Sequence, residues 1–302
     1  MRLAEELYRR VLEDGENYDA LGNLGLVVGH RGDHVAAEAL FLRAIRLRPD
    51  KPAHRLNLGR LYRRLARLDE AAGVFEAVLA THPDNDQARH ALGDIYLAQG
   101  RHEGWALYGA RDPRANAPAR QLPYPEWSGE PLAGRRLFVM SEQGFGDQIF
   151  AARFVTGLSA AHVTFACALE LAGLFAQLPA EILPRTSRYL AVPRHDYWTQ
   201  PLSLPRWVAP AEAPYLTAPP PERRGRIGVV WRGNDKPDPH RSLPPELGRR
   251  LLALPGAVSL QPEDSGAADF QATAAIMAGL ELVISIDTSA AHLAGALGRP
   301  GV

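Results

Sequence analysis

At 302 residues, with 46% apolar and 23% charged side chains, the chain has the length for two or three compact units and enough apolar material to fill each core. That composition excludes a disordered tail or a fibrous repeat. The 34 basic and 34 acidic residues cancel, and residues 1–110 hold 15 basic against 16 acidic, so a broad nucleic-acid binder, which needs clustered positive charge, is excluded too.

The first segment, MRLAEELYRRVLEDGEN, carries charges at every turn between its apolar residues and reads as an amphipathic helix, without the apolar core of a signal peptide. Cys167 is the single cysteine, so neither an internal disulfide nor a cysteine metal cluster can form, and a cytoplasmic, reducing location is expected. The most apolar long window, 154–180, contains His162, Glu170 and Gly173 and ends at Pro179, so it reads as several buried elements and no transmembrane segment is expected.

A 34-residue period runs through the first third. Leu24-Gly25, Leu58-Gly59 and Leu92-Gly93 recur at that spacing, as do Ala37 and Ala71, Phe41 and Phe75, Pro49 and Pro83, and Tyr62 and Tyr96. Each unit is a helix pair in which the glycine admits a close neighbour, the phenylalanine fills the gap and proline marks the next unit. This is the tetratricopeptide pattern, and it predicts a helical solenoid over 1–110 with a concave surface for a protein, peptide or glycan acceptor. The pattern decays after Gly100, where Gly104-Trp105 replaces the expected small residue.

Residues 111–134 hold five prolines with Gly129 and Gly134 and are expected to form a linker. Beyond it, short apolar strands followed by glycine-bearing turns and helices predict an α/β unit in two Rossmann-like halves, 135–222 and 223–302, divided by a second proline-dense stretch at 201–221. Strands are expected at 136–140, 227–231, 258–260 and 282–286.

Three strand-to-helix loops of this region can carry chemistry. In SEQGFGD, Gly144 and Gly146 let backbone amides approach a ligand, and Asp147 either faces the crevice or caps the helix. A full GxGxxG fingerprint is missing because Ile149 stands where the third glycine is needed. In WRGNDKPDPHRS, the cations Arg232, Lys236 and Arg241 join Gly233, Asn234 and Ser242, a mixture of charge and amide donors that suits a diphosphate, or a solvated loop. In DTSAAHLAGALGRP, a helix opens with Asp287 or Thr288 as cap, so the amides of Ser289, Ala290 and Ala291, with His292 one turn in, make an anion site. No metal-binding cluster, HExxH or Walker sequence is present.

The succession of repeats, EQGFGD, WRGN with RSLP, and DTSAAHLAGALGRP resembles bacterial tetratricopeptide-repeat glycosyltransferases of the GT-B superfamily. The catalytic part is similar to that of lipopolysaccharide heptosyltransferases, and the domain order to that of protein O-GlcNAc transferases. The resemblance implies inverting, metal-independent transfer from a nucleotide-sugar co-substrate, with no further cofactor. It makes Asp147 the general base and assigns Asp287, Thr288, Ser289 and His292 to the donor's diphosphate. It places Trp231, Arg232 and Gly233 in the same crevice and Gln261 in a donor-facing position.

The C-terminal half shows only three clear strands, so its sheet is expected to be unfinished with an open edge. The alternative expectation is therefore a non-catalytic repeat scaffold carrying a degenerate nucleotide-sugar-binding domain.

Overall fold

The structure, a computed structural model, describes residues 2–109, 122–142, 144–160, 162–186, 191–221, 226–234 and 241–302. The chain divides into two compact units, 1–115 and 116–302.

The first unit contains α1 (Arg2–Glu13), α2 (Tyr18–His30), α3 (His34–Leu47), α4 (Ala53–Arg64), α5 (Leu68–Thr81), α6 (Asp86–Ala98) and the short α7 (Gly104–Tyr108). Asn17, Asp33 and Asn85 cap α2, α3 and α6 by accepting the N–H three residues on, at 2.9, 3.1 and 2.9 Å. The 34-residue glycines mark where helices meet: a Cβ on Gly25 would lie 2.8 Å from the Phe41 ring, and one on Gly59 2.6 Å from Phe75. Both rings are buried. The third pair closes differently. Position 105 is Trp, and the small residue comes one place earlier, so that a Cβ on Gly104 would lie 2.8 Å from the Gly93 carbonyl and the backbones of α6 and α7 touch.

Neighbouring helix pairs are stitched by arginines of α4 and the turn after it. Arg60 donates to Gln87 at 3.0 Å, Arg63 pairs with Asp94 at 2.7 Å, Arg64 donates to the Gly29 carbonyl at 2.9 Å and Arg67 pairs with Glu38 at 2.7 Å. Partly exposed pairs of this kind contribute about 0–1 kcal/mol each, so they fix register more than they stabilise. Between α2 and α4 lies a buried His54 whose ring sits on Gly22 and 4.2 Å from the ring of Tyr18. Neither ring nitrogen is hydrogen-bonded, nor is the Tyr18 hydroxyl.

The second unit runs β1 (Arg136–Val139), α8 (Phe145–Val155), β2 (His162–Ala168), α9 (Ala172–Phe175), β3 (Glu181–Arg185), β4 (Tyr197–Thr199), a 3-10 turn (Pro201–Arg206), β5 (Ile227–Val230), α10 (Pro245–Leu252), β6 (Ala257–Ser259), α11 (Pro262–Ser265), α12 (Phe270–Ala278), β7 (Leu282–Ser285) and α13 (Ser289–Ala296). The strands form two parallel sheets, ordered β3-β2-β1-β4 and β6-β5-β7. Parallel neighbours require crossovers, which the intervening helices and turns supply.

Side-chain alternation explains how the first sheet is covered. Leu137, Val139, Phe165 and Cys167 belong to the main core with Ile149 and Phe154 of α8, while Phe138, Ala166 and Trp198 pack with Tyr124. Tyr124 comes from the proline-rich stretch expected as a linker. From 122 to 134 that stretch is part of the fold: Trp127 and Leu132 are buried, Trp127 N–H donates to Trp198 O at 2.7 Å, and Trp198 N–H to Pro125 O at 3.0 Å. Proline suits this edge because its neighbours bond on one side only.

The second proline-dense stretch is likewise a strap, not a divider. Leu202 and Leu204 are buried, Arg153 of α8 donates to the Ala211 carbonyl at 2.8 Å, Tyr215 Oη donates to Ile149 O at 3.2 Å, and Tyr215 and Leu216 N–H groups donate to Ala296 O of α13. The two sheets consequently share one hydrophobic core that includes Leu137, Phe154, Val230, Val283 and Leu293, in place of two separable halves. The expected open edge is also paired: Val283 and Ser285 N–H groups donate to Pro300 and Val302 carbonyls, each at 2.9 Å, and Val302 N–H returns to Val283 O at 3.0 Å.

Candidate functional site

In an open parallel sheet, ligands bind beyond the carboxyl ends of the strands where the order reverses direction. The first sheet reverses between β1 and β4, the second between β5 and β7. The loops leaving β1, β5 and β7 are the three that carry SEQGFGD, WRGN and DTSAAH.

These loops meet through α13. Its N-cap is Thr288, in extended conformation, and its first turn presents Ser289 and Ala290 before Ala291 and His292 bond back to the Thr288 carbonyl. The Thr288 hydroxyl does not cap the helix and instead lies 3.1 Å from Ser285 Oγ. On one side Thr288 faces Gly233: a Cβ there would lie 3.1 Å from Thr288 Cγ2 and 3.2 Å from Arg241 Nε. One turn along, His292 faces Gly146, where a Cβ would lie 2.5 Å from His292 Cδ2. Thr288 and His292 are four residues apart and so share a helix face. Gly146, Gly233, Arg241, Thr288 and His292 therefore adjoin around one helix terminus, whose amides carry partial positive charge.

The loop after β5 is held from within. Gly233 N–H donates to Ser242 Oγ at 3.1 Å, Arg241 Nε to the Asn234 carbonyl at 2.7 Å, and Leu243 N–H to the Trp231 carbonyl at 2.9 Å. The Trp231 ring packs on Gly248 of α10, and its indole N–H is buried without a partner. Lys236 lies outside the described residues.

Several expected donor contacts are occupied by the protein itself. The Arg232 guanidinium is ion-paired with Glu263, both about half exposed, so it is held toward α11. Gln261 is buried, and its Oε1 accepts the N–H groups of Trp231 and Arg232 at 3.3 and 3.2 Å; it braces the β5 loop from beneath. Asp147 is the third residue of α8, and its Oδ2 accepts the Gly144 N–H at 3.1 Å. One carboxylate oxygen thus closes the helix end, as a capping acid does. Asp287 is exposed and Ser289 half-buried.

Two buried polar residues beside the first loop, Glu142 and Gln148, are not among the expected site residues. Glu142 Oε1 accepts Leu202 N–H at 2.9 Å, which fixes the loop to the 3-10 turn after β4. Gln148 Oε1 accepts Ala168 N–H at 3.0 Å and fixes α8 to the end of β2. Both precede or follow Gly144–Asp147 by one or two residues and set the loop's path.

Other parts of the unit offer less. Burial pushes the Cys167 thiol up to about 12, far from a nucleophile's range. Among the described residues no three His, Cys, Asp or Glu side chains gather as metal ligands. A cleft of about 540 Å³, lined by Arg226, Glu281 and Arg299, opens at the opposite, amino edge of the second sheet. No described helix is long and apolar enough to cross a membrane.

Residues 2–52 and 56–118 match the tetratricopeptide repeat family. Protein FlbA of Caulobacter vibrioides is 26% identical over an alignment that spans 92% of this chain and 58% of its own length. The chain thus spans a little over half of that relative, and the likeness extends through both units. Solved structures with similarity include MamA AMB-1 (27% identity, 35% of this chain and 64% of that one, TM-score 0.31) and YrrB, described as a TPR protein with an unusual peptide-binding site (23% identity, 39% of this chain and 64% of that one, TM-score 0.33).

Proposed function

We propose that the α/β unit binds a nucleotide-activated sugar with its diphosphate against the start of α13, and transfers the sugar to an acceptor brought by the tetratricopeptide repeats. The observation that carries the reading is the convergence of three loops on one helix terminus, with Gly233 and Arg241 beside Thr288 and Gly146 beneath His292. Helix-terminal amides, a hydroxyl, an imidazole and a guanidinium are the donors a diphosphate needs. Helical solenoids present extended surfaces to protein or peptide partners, which gives the repeats their recruiting role.

In the reaction proposed, an acceptor oxygen attacks the anomeric carbon as the bond from that carbon to the diphosphate breaks. The diphosphate leaves with the electron pair toward α13, and the acceptor proton passes to the Asp147 carboxylate. General-base assistance of this kind contributes about 10²- to 10⁴-fold. No metal is needed where the helix terminus and cations neutralise the leaving group.

A second reading has a specific observation behind it. Arg232 is paired with Glu263 and Asp147 is tied to Gly144 N–H, which suits a domain that binds a sugar nucleotide without turning it over. Calorimetry with UDP-, GDP-, ADP- and dTDP-sugars, followed by an assay for released nucleoside diphosphate, separates the readings. Binding with release supports transfer, binding without release in the presence of acceptor extracts supports a sensor or scaffold, and absence of binding removes the sugar-nucleotide proposal.

A further inference from the structure

Helices α2, α4 and α6 open the three helix pairs, and α4 packs on both of its counterparts. Such a row is the inner layer of a solenoid, the side these folds present to partners. The 34-residue register puts Leu26, Arg60 and Asp94 at one equivalent place in the three helices, and His30, Arg64 and Ala98 one turn further on. All six are exposed or half-buried. Helix α4 is flanked by α2 and α6 and backed by α3 and α5, so every helix that the repeat pattern sets against it is in place and its remaining face is the open one.

Charge is concentrated on that face. Helix α4 carries Arg55, Arg60, Arg63 and Arg64 and no acid. Arg63 is ion-paired with Asp94 at 2.7 Å, and Arg64 donates to the Gly29 carbonyl at 2.9 Å. Arg60 meets uncharged acceptors, Asn57 Oδ1 at 3.2 Å and Gln87 Oε1 at 3.0 Å. Two amides thus hold its guanidinium in place without neutralising it, and further N–H donors of the fork stay available.

The acids of the row do not cancel this charge. Asp94 is already matched by Arg63. Asp19 and Asp86 stand in the first turns of α2 and α6, about 10–12 Å further along the helix axes at 1.5 Å per residue, which is roughly a Debye length away. Beside Arg60 in the register lies Leu26, an apolar side chain 37% exposed.

We propose that the inner face of the repeats docks an extended polypeptide segment through an aspartate or glutamate side chain that pairs with Arg60, with an apolar neighbour of that acid resting on Leu26. The proposal builds on the recruiting role given to the repeats above and names the chemistry of the segment they recruit. A carboxylate fits the guanidinium fork in a planar, bidentate pair, and one already held by two amides loses little freedom on binding.

The test exposes the full 302-residue chain to an array of random peptides of about ten residues, long enough to cross three helices spaced about 8–10 Å apart. Each peptide is acetylated and tethered by its C-terminus, so side chains supply every carboxylate. The expected result is a bound set enriched about threefold or more in Asp or Glu next to an apolar residue. Arg60→Glu should turn the preference toward Lys and Arg. In solution it should weaken the best acidic peptide by about tenfold or more, read by fluorescence anisotropy. Asp94→Ala removes the neighbouring acid and frees Arg63, so it should tighten the same peptide. Helical circular dichroism and Tm of both variants should stay near the parent's, which separates lost docking from lost folding. Captured peptides without an acidic preference, or a preference that survives Arg60→Glu, overturn the proposal and leave recruitment by the repeats standing. Capture of no peptide at all overturns both.

Discussion

His292 rests on Gly146: the imidazole of α13 occupies the space that any larger residue at the start of α8 would need, with Cδ2 only 2.5 Å from the position of a Cβ. This contact joins the loop after β1 to the loop after β7, and it exists because one partner has no side chain. Gly146→Val should push the ring aside and separate the helices, at about 1–3 kcal/mol from overpacking. Urea denaturation should show a lowered midpoint, with donor affinity reduced alongside it. A midpoint equal to the parent's would mean that the ring moves away without resistance.

Phe41 and Phe75 are each fully buried against a glycine of the neighbouring helix. Replacing either with Ala leaves a cavity and should destabilise the repeat unit by about 3–5 kcal/mol. The loss should be visible as a reduced thermal midpoint of the helical signal. A shift of a degree or less would show that α2–α5 do not fold as one core.

His54 predicts how the repeat unit responds to acid. Burial holds its imidazolium form below the ordinary value of 6.5, so the folded state binds fewer protons than the unfolded state as the pH drops beneath that value. Stability is then unaffected above about pH 6.5, falls as the pH descends through it, and continues to fall until the depressed folded value is passed. The nearby Asp19 partly offsets the effect by favouring the cation. His54→Phe should flatten this segment of the stability profile, measured by urea unfolding at pH 7.5 and pH 5.5 (roughly one unit either side of the ordinary value). An identical slope in parent and variant would assign the acid response to another group.

The chain's residues announce some of this architecture and conceal the rest. The helix pairs are legible because glycine and phenylalanine must coincide at one spacing for the helices to touch, and the strands around 136, 227 and 282 because buried parallel strands are continuous apolar runs. The proline-rich stretches mislead for a physical reason. Proline forbids regular structure, yet Trp127, Leu202 and Leu204 show that irregular backbone can still fill a core. The pairing of Arg232 with Glu263, and the bracing by Glu142, Gln148 and Gln261, join residues that are 31, 60, 20 and 29 positions apart. Only the fold sets those distances.

Arg232 and Gln261 lead to opposite expectations despite their proximity. Arg232→Ala removes an exposed ion pair and should change stability by no more than about 1 kcal/mol, with donor affinity within twofold of the parent. Gln261→Ala leaves two backbone donors buried under the β5 loop and should destabilise by about 1–3 kcal/mol. A large loss of affinity in Arg232→Ala would show that the guanidinium leaves Glu263 to meet the ligand.

Asp147→Asn isolates the proposed chemistry from binding. The amide oxygen can still accept from Gly144 N–H, so the loop should keep its shape and its donor affinity, while sugar transfer falls by about 10²-fold or more. Equal turnover in the two proteins would remove Asp147 from the role of base.

The central claim, a diphosphate seated at the start of α13, is tested most directly by titrating nucleotide sugars into parent and His292→Ala proteins in a calorimeter. The account predicts that one of the UDP-, GDP-, ADP- or dTDP-sugars binds the parent and that the substitution weakens it by about 10- to 100-fold, the worth of a hydrogen bond to a charged group. A donor that binds both proteins with the same affinity, or a parent that binds none of the four, would contradict it.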